Sequence, residues 1–276
     1  MDSALNHDKP SNPSYPVYPS KIMVYLFIFW LALFGKQRSF HRDSLRMMGK
    51  LRPPLRVWGA DRIPNQLPCL ITLNHYNRPG FNAMWIGMAV SSVARREIHW
   101  LMTSAWTFEG MWYAPLARKI SQWVIRRLAV IYGMTTTPPN PPDPADAADR
   151  GTAIRRLMAY IRHTPAPLIA ITPEGRDFPR AVLGYPPPGF GRLAGLLAQR
   201  NFVILPAGIY EHDGALCLRF GTPYRLKNLP AFSKQELDRK YSLAVMARIA
   251  STLPAHLQGE YACYQNTLHE IVEDLP

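Results

Sequence analysis

After Pro53-Pro54 the chain alternates short apolar runs of four to six residues with longer stretches of helical character. Strands that alternate with helices stack as a sheet between helical layers, with the crossovers running over its faces. The fold expected is α/β, a mixed and mostly parallel sheet flanked by helices. The runs read as strands are Cys69 to Leu73, Ile98 to Met102, Ala129 to Tyr132, Leu168 to Ile171, Val203 to Gly208 and Ala215 to Phe220. Helices are expected over Asn82 to Val93, Trp112 to Arg127, Arg150 to His163 and Phe190 to Arg200. Between them, the Pro-Pro-Asn-Pro-Pro-Asp-Pro run within Thr135 to Pro144 can be neither helix nor central strand. It reads as an exposed connector, with Asp146 and Asp149 placed to cap the next helix. The stretches 233–253 and 264–272 read as helical, making 231–276 a set of C-terminal helices on the outside of an α/β domain spanning 55–230.

The N-terminal part has a different character. Residues 1–20 are polar and proline-rich, and are expected to be disordered. Ile22 to Phe34 is wholly apolar and bracketed by Lys21 and Lys36. As a helix it is roughly 20 Å long at about 1.5 Å per residue, short of the roughly 30 Å hydrocarbon core of a bilayer. Between Lys36 and Arg56 seven basic residues face one acid, Asp43. No small-residue cleavage site follows, which argues against a secretory signal peptide. An apolar plug with a basic collar suits a one-sided anchor whose cations meet anionic headgroups. Segment 21–54 is therefore read as an N-terminal apolar helical membrane anchor, the alternative being a helix packed on the domain. No other long apolar stretch is present, which speaks against a polytopic protein.

The whole chain carries 32 Lys+Arg against 19 Asp+Glu, a net +13, which calls for an anionic partner. No helix-turn-helix or RNP-like motif accompanies that charge, so nucleic acid is not the expected partner. Cys69, Cys217 and Cys263 are widely spaced and form no CxxC pair, so they read as reduced thiols with neither disulfide nor metal role.

Chemistry concentrates at two strand ends. Asn74-His75 directly follows the first apolar run, and Pro79-Gly80 makes a tight turn before the next helix. In open α/β sheets ligands bind beyond the carboxyl ends of the strands. An imidazole there can accept a proton from a hydroxyl near neutral pH. The second block, Thr172-Pro173-Glu174-Gly175-Arg176-Asp177, follows the fourth run. Arg176 can fork onto phosphate or carboxylate, Gly175 permits close backbone approach, and Glu174 can hold the turn or a substrate hydroxyl. The same block is also compatible with an ordinary surface turn. A third block, Val203 to Glu211 followed by Leu218 to Tyr224, reads chiefly as scaffold.

In this order the blocks resemble the glycerophospholipid acyltransferase family, the lysophosphatidic acid acyltransferase-like enzymes. That family has Asn-His-x-x-x-x-Asp after a strand, here Asn74-His75 through Gly80, and a Pro-Glu-Gly-Thr-Arg type motif, here Pro173-Glu174-Gly175-Arg176. A later strand bearing proline, Leu205-Pro206-Ala207, precedes one ending in Gly221-Thr222-Pro223, and Val57 to Pro64 matches the family's leading stretch. The resemblance spans about 55–226. It implies transfer of an acyl group from acyl-CoA or acyl-carrier protein, as co-substrate and with no further cofactor, to a hydroxyl of a glycerol phosphate or lysophospholipid. His75 would be the general base, and Asn74, Arg78, Glu174, Gly175 and Arg176 would bind substrate. Location at the cytoplasmic face of a membrane, peripheral or monotopic, is implied as well.

Two departures stand out. The family's acid position is Gly80, and the threonine before Arg176 is missing. Asn77 or Asn82, or a carboxylate from elsewhere such as Asp177 or Glu211, is left to orient His75. Asn82 is preferred because it begins the expected helix on the same side. The segment Ala129 to Gly133, where the family carries a phosphate-binding arginine, ends in glycine; Arg126 and Arg127 lie upstream, and Arg78 and Arg192 are alternative cations. A member that keeps the fold and has lost turnover is the alternative reading.

Overall fold

The computed structural model describes residues 15–106, 112–139, 144–229, 232–264 and 268–275. The chain enters through α1 (Lys21–Phe34) and α2 (Phe40–Met48), then runs β1 (Arg56–Trp58), β2 (Cys69–Leu73), α3 (Met84–Val93), β3 (His99–Thr103), α4 (Ala114–Tyr132) and β4 (Thr135–Thr137). It continues with α5 (Ala147–His163), β5 (Leu168–Ile171), α6 (Phe190–Ala198), β6 (Val203–His212), β7 (Ala215–Phe220), β8 (Tyr224–Leu226), α7 (Lys234–Ala250) and β9 (Val272–Asp274).

The nine strands among the described residues form one sheet, ordered β1-β7-β6-β2-β5-β3-β4, with β8 against β6 and β9 against β8. β6, β2, β5, β3 and β4 run parallel, while β7 and β8 pair antiparallel with β6. The expected mixed, mostly parallel sheet flanked by helices is what forms. β2 lies near its centre, with Ile71 opposite Ala170 of β5 on one side and Leu205 of β6 on the other. Every residue of β2 is buried, as a parallel strand covered on both faces requires.

The run Ala129 to Tyr132, expected as a strand, is instead the last turn of α4. Ile125, Ala129 and Ile131 are buried on the inner side of that helix, and the Gly133 amide closes it on the carbonyls of Ala129 and Val130. A four-residue apolar run cannot by itself distinguish a strand from a buried helical turn. The strand that follows, β4, is three threonines and carries no apolar signal.

The C-terminal segment also departs from expectation. α7 starts with a reciprocal capping box between Ser233 and Glu236 and buries Ala244 to Ala247, Ile249 and Ala250, so it is core rather than outer decoration. Val272 opens β9 rather than ending a helix.

Of the tail expected to be disordered, residues 1–14 lie outside the described residues, and 15–20 are fixed to the domain. Val17 bridges Arg52, and Tyr18 stacks on Trp85 at 5.2 Å between ring centres. The basic collar is partly used internally. Arg38 forks onto the buried Asp43, and Arg52 donates to the carbonyls of Gly49 and Leu51. α2 packs on α3 as part of the domain, so segment 21–54 is not one continuous anchor. Among the described residues no helix is long and apolar enough to cross a membrane.

Candidate active site

Because β2 and β5 are parallel neighbours, the turns that leave their carboxyl ends lie side by side. This brings the Asn74-His75 and Glu174-Asp177 blocks together, although about a hundred residues separate them in sequence.

Two buried polar residues fix the geometry. Asn74, 1 % exposed, accepts from the Ile209 amide at 2.8 Å and donates to the Ile209 carbonyl at 2.9 Å. Its side chain thus extends the β2–β6 ladder one step past Leu73. Glu174, 2 % exposed, accepts from the backbone amide of His75 and, at 2.8 Å, from that of Gly184. Burial pushes its carboxyl above the ordinary range, against the pull of those two amides. Both side chains are taken up by backbone groups, Asn74 by Ile209 and Glu174 by His75 and Gly184.

The His75 ring lies on top of this clamp, with Nδ1 2.9 Å from Oδ1 of Asp177. At that distance the carboxylate faces the ring nitrogen without meeting the angular requirement of a hydrogen bond. The Asp177 side chain is 65 % exposed. Contact with His75, and behind it the Asn77 amide, holds the Asp177 carboxyl below its usual value against the effect of burial.

Asn82 does not fill this role. Its Oδ1 accepts from the Met84 amide at 2.9 Å and its Nδ2 donates to the Tyr25 hydroxyl at 3.1 Å, so it caps α3 and ties it to α1. Arg78 is likewise engaged, forking onto Glu211 and stacking under the Tyr15 ring at 3.8 Å. Glu211 also accepts from Tyr18 at 2.7 Å and Tyr76 at 3.2 Å, making it the hub that fastens the N-terminal segment to the wall of the site. Gly175, at φ +61°, closes the turn with its amide on the Thr172 carbonyl. Arg176 is exposed, stacks on Phe178 at 4.6 Å, and joins no ion pair among the described residues.

Gly80 has φ +84°, where a side chain is strained, and a Cβ there would meet Nη1 of Arg78 and Nζ of Lys21 at 3.5 and 3.8 Å. A cleft of about 490 Å³ opens at the turn after β2, lined by Tyr76, Asn77, Arg78, Arg180 and His256 among others, with His75 itself not in its lining. Arg180 and His256 escaped the sequence reading because neither belongs to a motif; only the loop path brings them to the cleft. Arg192 lies on α6, where its backbone amide bonds Asp238. Among the described residues no group of histidines, cysteines and acids gathers that could hold a metal ion, and the three cysteines are free.

No family model matches this chain, and no curated protein matches it by sequence. Among solved structures, the crystal structure of the 1-acyl-sn-glycerophosphate (LPA) acyltransferase PlsC from Thermotoga maritima is similar at a TM-score of 0.49 and 16 % identity, covering 86 % of this chain and 90 % of that one.

Proposed function

We propose that this chain is an acyltransferase that moves a fatty acyl group from acyl-CoA or acyl-carrier protein to a hydroxyl of a glycerol phosphate or lysophospholipid. The observation that carries this reading is the His75–Asp177 pair at the sheet's carboxyl edge, 2.9 Å apart, within the two blocks that resemble the acyltransferase motifs. With Nδ1 turned to Asp177, Nε2 is left for substrate. There it takes the proton of the acceptor hydroxyl as that oxygen attacks the thioester carbonyl. The tetrahedral intermediate then collapses, breaking the C–S bond, and the imidazolium returns the proton to the departing thiolate. Once Nδ1–H points at its carboxylate, Asp177 would keep the ring in the required tautomer and stabilise the imidazolium. Arg176 and Arg180, both exposed, are the cations available to an acceptor phosphate. In this reading the enzyme works at a membrane surface, and the net +13 charge suits a surface with anionic lipid such as the cytoplasmic face.

Gly80 and the exposure of Asp177 favour a second reading, a chain that binds lipid or acyl-thioester without turnover. One assay separates the two. Thiol release from acyl-CoA or acyl-carrier protein is followed with glycerol phosphate, lysophospholipid and neutral acceptors, comparing wild type with His75→Ala. Acceptor-dependent release that disappears in His75→Ala is expected. Equal release in both proteins would remove His75 as the base, and binding with no release in either selects the second reading.

A further inference from the structure

Resting on the membrane-surface part of that function and going beyond it, we propose that the outer faces of α1 and α4 together form one docking surface for a bilayer containing anionic lipid. The membrane contact is then not an N-terminal anchor alone: α4, inside the α/β domain, supplies its second half.

α1 is apolar on every side. Val24, Leu31 and Ala32 are buried against the domain, while Ile22, Leu26, Phe29, Trp30, Leu33 and Phe34 are exposed on the outside. A helix of this kind belongs in a core or in lipid, and its outer face is uncovered among the described residues. α4 exposes Leu116, Ile120, Trp123 and Val130, whose spacing of i, i+4, i+7 and i+14 sets them on one face. Just before it, Trp112 is 92 % exposed.

The two helices meet through their C-terminal turns. Arg127 donates to the carbonyls of Ala32 and Gly35 at 3.2 and 3.3 Å, and the Arg38 amide donates to the Ile131 carbonyl at 3.0 Å. Leu33, Phe34 and Val130 remain exposed at that junction, which makes the two apolar faces neighbours. Exposed apolar residues gathered in this way mark an interaction surface.

Charge selects the occupant. Neither helix contains an aspartate or glutamate. Lys21 and Lys36 stand at the two ends of α1, and Lys119 is exposed on α4. A second copy of the chain would bring like charges together, whereas anionic headgroups complement them. The tryptophans suit the boundary between headgroup and acyl chain. At about 1.5 Å per residue α1 reaches roughly 21 Å, so it lies in the interface plane rather than across the bilayer.

The test uses the full chain with vesicles of phosphatidylcholine, with and without phosphatidylglycerol. Wild type is expected to bind the anionic vesicles more tightly. Ile120→Glu/Trp123→Glu, which leaves α1 intact, is expected to weaken that binding by at least about tenfold, since charge replaces apolar contact at the interface. Trp112→Ala, at an almost wholly exposed position, should weaken it several-fold with an unchanged unfolding midpoint, which covers any folding defect of the double variant. Wild-type binding by both variants would overturn the role of α4, and equal binding to neutral and anionic vesicles would overturn the charge argument. A dimer seen without vesicles and dissolved by the double variant would give the surface to a second copy instead. Docking and catalysis separate cleanly: the double variant should keep its turnover on water-soluble short-chain substrates, and His75→Ala should bind vesicles like wild type.

Discussion

Nδ1 of His75 and Oδ1 of Asp177 stand 2.9 Å apart across the carboxyl ends of two adjacent parallel strands. The carboxylate within reach of the ring thus comes from the turn after β5, not from the turn that carries the histidine itself. Asp177→Asn should keep the shape of the site and remove the charge. The expected result is a fall in kcat of about 10²–10³, less than the roughly 10⁴ seen for a buried triad aspartate because Asp177 is largely exposed, with KM little changed. Steady-state kinetics on folded protein decides it. A kcat within a factor of two of wild type would mean that His75 works without the acid.

Gly80 gives the complementary experiment. Restoring an acid there, as Gly80→Asp, forces a side chain onto φ +84° and aims its first atom at Arg78 and Lys21. The strain is expected to cost about 1 kcal/mol in unfolding free energy. In an Asp177→Asn background, Gly80→Asp should leave kcat at the level of the single variant. Recovery towards wild type would show that the turn after β2 can still accept an acid in the position that orients His75.

These two residues also show how far the sequence could be read. The carboxyl ends of β2 and β5 were legible because their apolar runs are continuous and end abruptly in polar motifs, Cys69 to Asn74 and Leu168 to Thr172. That the two ends are neighbours depends on strand order, which no local pattern encodes, so Asp177 was one of several candidates and Asn82 was preferred. Helix proximity in the chain misled, because Asn82 is taken up by capping α3. Glu174 and Asn74 looked like ligand groups because both are polar residues at strand ends. Burial turns them into structural clamps, and burial is a property of the assembled sheet. Ala129 to Tyr132 failed for a different reason: a short apolar run has no period long enough to identify it.

The clamp reading of Glu174 makes a prediction that a substrate-binding role does not. Glu174→Ala leaves the amides of His75 and Gly184 buried without acceptors, each costing about 1–3 kcal/mol. Denaturant unfolding should show a loss of about 2–6 kcal/mol, with kcat falling as His75 loses its support. Unchanged stability with only a raised KM would return Glu174 to the substrate. Asn74→Ala, which frees both backbone groups of Ile209, should behave in the same way.

A last prediction concerns a histidine outside the site. His99 is buried between sheet and helix, stacks on Tyr160 at 3.9 Å, and its Nε2 lies 2.9 Å from the Thr135 hydroxyl. Burial disfavours the charged ring and lowers its pKa from 6.5 to about 4. In the unfolded chain the ring takes its proton near pH 6.5, so between pH 6.5 and 4 the unfolded state binds more protons than the folded one. Stability is therefore full above pH 6.5 and declines as the pH falls, by up to about 3 kcal/mol once pH 4 is passed. Asp43 and Asp177, whose carboxyls are held below 3.8, add their own losses only at the acid end of that range and beneath it, while Glu174, raised by burial, gains stability as the pH falls and does so in both proteins. His99→Phe keeps the stack on Tyr160 and removes the titrating group. Unfolding free energies measured from pH 7 to pH 4 should slope downward for wild type and lie much flatter for His99→Phe. Parallel curves for the two proteins would show that His99 is not the group being titrated.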